Sequence, residues 1–394
     1  MEVKQIYTLI NSVSSEVLGK TDLVHEDLTG IVDLGNEVFN QNAVDNYVKS
    51  LVNHIGKVVF VNRPYSGKVP SILMDAWEFG SVLEKISADV PQAEENDTWN
   101  LTDGTEYKQD VFHKPTVSAK FFNSKVTFEV PVSITERQVK ESFSSAAQLN
   151  GFLSMIYNAV EKSMTIKTDA LVMRTINNMI AETLDADKAA FGFVASTNET
   201  VDYSSASTVR CVNLLKLYNE KTGAHLTAAA AITTPDFIRF AAYIMGLYSD
   251  RLQTISTLFN VGGKERFTPK DVLHTVLLSD FAAAAKTYLY ADTFHEDNVL
   301  LPKAETVASW QATGKDYAFE HVSKIDVKSA SGATVSVSGV LGVMFDREAL
   351  GVTNLDRRVT TNYNAKAEFF NNYYKFDAGY FNDTNENFVV FFIA

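Results

Sequence analysis

Residues that could carry acid–base or metal chemistry are scattered along this sequence. Its seven histidines are His25, His54, His113, His225, His274, His295 and His321. No two of them are three or four residues apart, the spacing that puts two metal ligands on one helix face. His295, Glu296 and Asp297 form the densest polar cluster, but a loop or a helix cap explains it more simply than catalysis does. We therefore predict no catalytic residue and no metal site.

Motifs for phosphate binding and hydrolysis are absent. The patterns G-x-x-x-x-G-K-[ST], G-x-G-x-x-G, G-x-S-x-G and H-E-x-x-H do not occur in the sequence. Gly262, Gly263 and Lys264 make a glycine turn with one lysine, without the rest of a phosphate loop. The acidic run at residues 94–97 lacks the spaced carboxylates of a calcium loop. These absences predict a protein that is not an enzyme and holds no cofactor.

Cysteine content and charge exclude further classes of function. The one thiol, Cys211, makes neither an intrachain disulfide nor a CxxC motif, and a small buried side chain is its simplest role. Lysine and arginine number 35 against 48 aspartates and glutamates, a net charge of −13. Such a chain repels phosphate at long range and is not predicted to grip nucleic acid. No run approaches the roughly 18 apolar residues of a membrane helix.

The elements that would position any site begin with an arm and a long loop. Residues 1–55 show short helical patterns, and a β-type run follows at residues 58–61. A polar section at residues 87–110 precedes a clean alternation at residues 117–132, in which Val126, Phe128, Val130 and Val132 share one face. We expect an extended two-stranded arm, which would bury too little of its own surface to be stable without a neighbour.

Residues 142–184 carry the longest helical pattern, and its apolar face changes along its length. Phe152, Ile156, Val160 and Met164 share one side, whereas Val172, Ile176, Met179 and Ile180 share a side rotated well away. The change falls within residues 165–168. Either the helix bends there, or its two halves pack on different partners.

A mixed α/β region follows, and the chain then becomes rich in aromatic residues. Helices are predicted at residues 207–219, 234–248 and 251–259, strands at 272–278 and 340–345, and a hairpin at 325–338. Eleven aromatic residues follow from Tyr363 onward. With only Lys366 and Lys375 beside them, they favour a sheet core or a subunit interface over a surface for stacking bases. The apolar run that starts at Phe388 predicts a strand inside a sheet.

This order of parts resembles that of tailed-phage major capsid proteins with the Hong Kong 97-like fold. It resembles most closely the proteins of small short-tailed, podovirus-type phages of Gram-positive bacteria. The segments that carry the resemblance are DNYVKSLVNHIGKVVFVNR (residues 45–63), FLSMIYNAVEKS (152–163), VLGVMFDREAL (340–350), EFFNNYYKFDAGYF (368–381) and NFVVFFIA (387–394).

The resemblance implies an α+β fold in five regions. These are an N-terminal arm (residues 1–55), an extended loop or E-loop with a β-hairpin (56–135), a peripheral or P domain with a long spine helix (136–200), an axial or A domain (201–350) and return strands of the P domain (351–394). It also implies a major capsid protein that self-assembles as pentamers and hexamers into an icosahedral or prolate head around double-stranded DNA.

The resemblance further implies particular partners and a location. The chain would bind copies of itself and a portal at one vertex. Because the arm is short for a built-in scaffold, the resemblance implies a separate scaffolding protein, or none. It would enclose DNA without sequence-specific binding, have no membrane partner, and reach the virion after assembly in the host cytoplasm. The alternatives are an encapsulin-like nanocompartment shell, and an unrelated α/β enzyme or binding protein.

Four residues of the expected extended loop are candidates for the subunit interface: Trp77, Glu94, Glu95 and Trp99. They lie in the part of the chain expected to reach a neighbour, and exposed tryptophan tends to anchor interfaces. Local packing within the loop is the alternative role for these side chains.

Overall fold

The structure is a computed structural model of the chain. It describes residues 11–12, 14–20, 69–74, 83–107, 110, 112–135, 146–193, 201–290, 304–311 and 317–394. Contacts divide the chain into two compact units. The first comprises Met1–Ser66, Glu129–Thr165 and Arg358–Lys375, and the second Gly67–Phe128, Ile166–Arg357 and Phe376–Ala394. None of the helices within the described ranges is long and apolar enough to cross a bilayer.

Within the described residues, four strands precede the long helix: β1 (Leu73–Met74), β2 (Leu83–Ala88), β3 (Val117–Phe122) and β4 (Lys125–Thr135). β4 alternates as predicted, with Val126 and Phe128 half-buried and Thr127 exposed. The prediction of one strand over residues 117–132 is wrong, because β3 pairs with β2 whereas β4 joins another sheet. β2 was not predicted, and the β-type run at residues 58–61 lies outside the described residues.

Helix α1 (Ala146–Ala186) confirms the long helix, and the burial of its side chains confirms the change of apolar face. Val160 and Met164 are buried in its first half, and Val172, Ile176, Met179 and Ile180 are fully buried in its second. The boundary between the two units falls between Thr165 and Ile166, inside the segment where the face changes. The two halves therefore pack in different units, the second of the two alternatives.

Within the described residues, strands and helices then alternate as far as a short helix at Phe319–Val322, and six strands follow it. In order they are β5 (Cys211–Asn213), α2 (Leu214–Thr222), α3 (Ala228–Ala231), α4 (Pro235–Arg251), β6 (Leu273–Leu278), α5 (Ser279–Tyr290), β7 (Glu305–Val307), α6 (Phe319–Val322), β8 (Ile325–Lys328), β9 (Thr334–Val337), β10 (Val340–Asp346), β11 (Leu350–Asn364), β12 (Phe369–Asn382) and β13 (Phe388–Phe392). β8 and β9 form the predicted hairpin.

A five-stranded sheet in the order β5-β13-β10-β6-β7 carries the core of the second unit. Every residue of β10 and β13 is buried, as expected for strands covered on both faces. β13 is parallel to β5 and antiparallel to β10, which confirms that the last aromatic run lies inside a sheet. The core beside this sheet includes Leu214, Phe237, Met245, Phe281, Leu341 and Phe391.

Two of the predicted helices in this unit differ from the structure. Of residues 207–219, the first four lie in a loop, the next three form β5, whose Cys211 and Val212 pair with β13, and α2 starts only at Leu214. Asn213 caps that helix by accepting a hydrogen bond from the Lys216 amide at 3.1 Å. The helix predicted at residues 251–259 is absent, since α4 ends at Arg251 and a loop follows. The helix start at Pro235 is confirmed.

A second sheet has the strand order β1-β11-β12-β4. In the part that belongs to the first unit, the rings of Tyr363 and Phe370 lie 4.6 Å apart on β11 and β12. Lys375 forms an ion pair of 3.4 Å with Glu129 of β4. The aromatic segment thus supplies side chains to a sheet, the role that the sequence favoured over base stacking.

Candidate assembly surface

The most exposed apolar side chains of the second unit lie on a hairpin formed by β2 and β3. We call residues 83–122 the hairpin and residues 89–116 its tip. The Asp89 amide donates a 2.9 Å hydrogen bond to the Thr116 carbonyl where the strands end and the tip begins. Of the four candidate residues, Glu94, Glu95 and Trp99 lie in the tip and are exposed. Trp77 lies outside the described residues.

Local hydrogen bonds shape the tip around Trp99. Asn96 accepts a hydrogen bond of 2.9 Å from the Thr98 amide, and residues 97–99 form a 3₁₀ turn. The Tyr107 hydroxyl accepts one of 3.0 Å from the Thr102 amide. Trp99 is nevertheless 94% exposed. These hydrogen bonds order the described part of the tip around an indole that is left in solvent.

The outward face of the hairpin strands is apolar. Ile86, Val117 and Phe121 are all exposed, and the register places Phe121 opposite Glu84 and Val117 opposite Ala88. Leu101 and Phe112 add exposed apolar surface in the tip. A sheet with one solvated face normally turns its polar side chains outward. Clustered apolar surface on an outward face marks an interaction site.

The inward face of the same strands is mostly polar. Its first row pairs Leu83 with Phe122, whose ring lies 5.2 Å from that of Phe381. The next row pairs Lys85 with Lys120, and the third pairs serines whose hydroxyls are 3.1 Å apart. This inverted pattern explains why β2 was missed, since its alternation does not mark a strand packed on a core.

Both lysines bind to the turn between β12 and β13, which we call the acidic turn because it contains Asp383 and Glu386. The Lys85 ammonium donates to Asp383 Oδ2 at 2.8 Å, and the Lys120 ammonium donates to Asp383 Oδ1 at 2.9 Å. Lys85 also reaches Glu386 at 3.3 Å and the Glu348 carbonyl at 2.9 Å. These five residues hold the hairpin against the body of its own unit.

Electrostatics in this cluster favour the charged forms of both partners. Burial alone would raise the pKa of the Asp383 carboxyl, but hydrogen bonds from Lys85 and Lys120 outweigh it, and the pKa falls below the ordinary 3.8. Burial alone would lower the pKa of Lys85, but Asp383 and Glu386 raise it above the ordinary 10.5. The ion pairs therefore persist at neutral pH.

The loop after α4 contacts both the acidic turn and the hairpin. Arg266 lies 3.4 Å from Glu386, and Lys264 lies 3.0 Å from Asp89 at the start of the tip. The Gly262 amide donates to the Thr384 carbonyl at 2.8 Å. The glycine turn singled out in the sequence therefore has a structural role here, with its lysine paired to a carboxylate.

A close approach explains the glycine at position 262. A Cβ atom added there would lie 2.0 Å from Asn385 Oδ1, far inside van der Waals contact. A side chain at position 262 would therefore require the Asn385 side chain to move, and the backbone of that residue lies only 3.2 Å from the added atom.

The other candidate residues that lie within the described ranges do not form a site, and residues 295–297 lie outside those ranges. Cys211 is buried, and burial raises the pKa of its thiol well above the usual range. His274 stacks on Phe345 at 5.6 Å, and burial lowers its pKa. Arg357 lies over the ring of Phe376 at 5.2 Å. Within the described ranges, no three His, Cys, Asp or Glu residues could hold a metal ion.

Comparison with known proteins gives one family and a set of similar folds. The family described as Phi29-like phage major capsid protein matches residues 9–392. The capsid structure of Staphylococcus phage Andhra is similar with a TM-score of 0.52 and 8% identity, over 86% of this chain and 87% of that one. A structure of the head fiber and inner core protein gp22 of bacteriophage P68 gives 0.49 and 9%, over 86% and 88%. None of the curated proteins matches the chain.

The family match confirms the resemblance to tailed-phage major capsid proteins drawn from the sequence. The Andhra likeness concerns the fold alone, at 8% identity, and agrees with the mixed α and β architecture described above. The family match covers nearly the whole chain and is to structural proteins of the viral shell, in agreement with the prediction of no enzymatic activity. It favours neither the nanocompartment nor the unrelated α/β protein.

Proposed function

Since the chain belongs to the Phi29-like phage major capsid protein family and forms part of the virion shell, we propose that it assembles with copies of itself into pentamers and hexamers. These rings would close into an icosahedral or prolate head around double-stranded DNA. Head-to-tail contacts that close make rings, and many weak contacts per subunit add up to a stable shell.

The apolar outward face of the hairpin is the observation that carries this proposal. Ile86, Val117 and Phe121 would be covered if the hairpin lay on a neighbouring copy, with Trp99 as an anchor at its tip. Glu94 and Glu95 would then lie at the rim of the contact, where charged side chains can stay solvated.

Other partners follow from the family and the charge of the chain. The proposal includes binding to a portal at one vertex and to a separate scaffolding protein, and assembly in the host cytoplasm. The net charge of −13 supports a wall that encloses DNA without gripping it, so that the genome can slide during packaging. A strongly positive inner surface would contradict this part of the proposal.

Mass and shape of the purified chain test the proposal. Light scattering and negative-stain microscopy should show rings or closed shells in the megadalton range. A monodisperse species of 43.6 kDa that small-angle scattering shows to be compact would contradict it.

Substitution on the hairpin tests its outward face. Phe121→Ser should strongly reduce the yield of large particles, because an apolar contact repeated in every subunit is lost. Tyr317→Ser is the matched control, since Tyr317 is also an exposed aromatic residue of the second unit but lies outside the hairpin. Equal particle yields for the two variants would place the subunit contact elsewhere.

A further inference from the structure

Two like charges face each other on the inward side of the hairpin. Lys85 and Lys120 are directly opposite cross-strand partners in the antiparallel register of β2 and β3. Such a like-charge pair destabilises a two-stranded ribbon. Asp383 lies between them and takes one ammonium on each carboxylate oxygen. The repulsion within the ribbon is therefore offset while the ribbon lies on this carboxylate, with Glu386 adding to the effect at Lys85.

Besides this lysine row, the described contacts between the hairpin and its own unit are the Lys264–Asp89 ion pair at the start of the tip and an aromatic contact in the first row. Among the described residues, apolar contact is concentrated in the first row, where Phe122 meets Phe381. Ser87 and Ser118 bond to each other across the hairpin. The Lys85–Lys120 row is consequently the main polar attachment of the hairpin's inward face to the rest of its unit.

The carboxylate itself belongs to a rigid turn. The Asp383 amide donates to the Ala349 carbonyl at 2.6 Å, and the Asn385 amide donates back to Asp383 Oδ1 at 3.1 Å. The Glu386 amide donates to the Asp383 carbonyl at 3.2 Å. The Asp383 side chain is only 4% exposed, so water does little to screen its charge. It thus offers a fixed point against which a two-stranded ribbon can be oriented.

We propose that Asp383 is the positioning residue of the hairpin, a carboxylate clamp on Lys85 and Lys120 that sets the direction in which the apolar outward face is presented. Glu386 supports the clamp through its contacts with Lys85 and Arg266. The inference rests on the proposed function in one respect, which is that the neighbour covering the outward face is another copy of the chain. The clamp is a property of the single chain.

Hydrogen exchange of the unassembled full-length chain tests the clamp. Asp383→Asn keeps the shape of the side chain and removes its charge, so amides of residues 83–88 and 117–122 should exchange about tenfold faster. Amides of β10 should keep their wild-type rates, which shows that the fold is intact. Asp250→Asn is the control, because Asp250 forms a 3.0 Å ion pair with Lys270 that is largely exposed. Equal hairpin exchange in both variants would overturn the proposal.

A double variant distinguishes the clamp from general loss of packing. In the Asp383→Asn background, Lys120→Gln removes one of the two opposed ammonium groups and should slow hairpin exchange again, by about threefold. If the second substitution speeds exchange further, Asp383 does not act by offsetting the lysine pair. If Asp383→Asn does not fold, Lys120→Gln alone should still speed hairpin exchange by about twofold to threefold, and no change would overturn the proposal.

The exchange experiment also separates this inference from the proposed function, because hydrogen exchange is measured on the unassembled chain, before any particle forms. A chain that shows the expected exchange pattern but remains a compact monomer of 43.6 kDa would contradict the shell proposal and leave the clamp standing. A chain that assembles into particles but shows no effect of Asp383→Asn on hairpin exchange would contradict the clamp and leave the shell proposal standing.

Discussion

At the residue scale, two glycines with nearly the same backbone conformation have different surroundings. Gly339 and Gly332 have φ angles of 79° and 83°, in the left-handed region that favours glycine. A Cβ atom at position 339 would lie 2.0 Å from the Ile393 carbonyl oxygen, whereas one at position 332 would meet nothing within 4 Å. The pair therefore separates the cost of backbone conformation from the cost of a steric clash.

We expect Gly332→Ala to lower the free energy of unfolding by about 1 kcal/mol, the cost of a left-handed alanine. Gly339→Ala should lower it by about 3 kcal/mol or more, because the backbone of Ile393 must also move. Denaturant titration of the two variants measures both values. Equal losses would show that the contact with Ile393 relaxes freely.

At the element scale, α1 contains a buried and an exposed isoleucine that serve as a matched pair. Ile176 is fully buried in the second unit, whereas Ile166 is 48% exposed. Ile176→Ala should destabilise the protein by roughly 2–5 kcal/mol, and Ile166→Ala by less than about 1 kcal/mol. Thermal unfolding of both variants checks this, and similar losses would contradict the buried face assigned to the second half of the helix.

Elements with strong local patterns were predictable from the sequence, and elements that depend on distant partners were not. The periodicity of α1, the Pro235 helix start and the buried runs of β10 and β13 all carry their own signals. β5 was mistaken for the start of a helix, because only its pairing with β13 makes Cys211 and Val212 extended. A two-stranded arm is expected from the sequence, but β2 is not identified as one of its strands, because its apolar residues face outward rather than onto a core. Trp99 stood out by residue type, whereas the partners of Asp383 lie more than 250 residues away.

At the scale of the whole molecule, the ion cluster of the hairpin makes stability depend on pH. The pKa of Asp383 lies below its ordinary value of 3.8 in the folded chain. The contribution of Asp383 to the free energy of unfolding is therefore fully present above about pH 4. It is lost as the pH falls through the lower pKa that this carboxyl has in the folded chain. Acid should loosen the hairpin in the same sense as removal of the charge does.

Melting temperatures measured from about pH 5 down to about pH 2 test this dependence. The wild-type chain should lose more stability over that range than Asp383→Asn does, because the variant has no carboxyl to protonate at this position. Asp250→Asn should follow the wild-type curve. Parallel curves for all three proteins would show that Asp383 is not a source of the acid sensitivity.

The central place of β13 has a consequence for the order of events during translation. β13 lies between β5 and β10, and its partners are synthesised long before it, with Cys211 and Phe345 preceding Phe388. While the ribosome is still adding residues before 388, β5 and β10 have no strand to join them, and the sheet exists only as fragments. This unit therefore completes its sheet late in synthesis, and a chain stalled upstream of β13 would expose the apolar edges of both partners to chaperones and proteases.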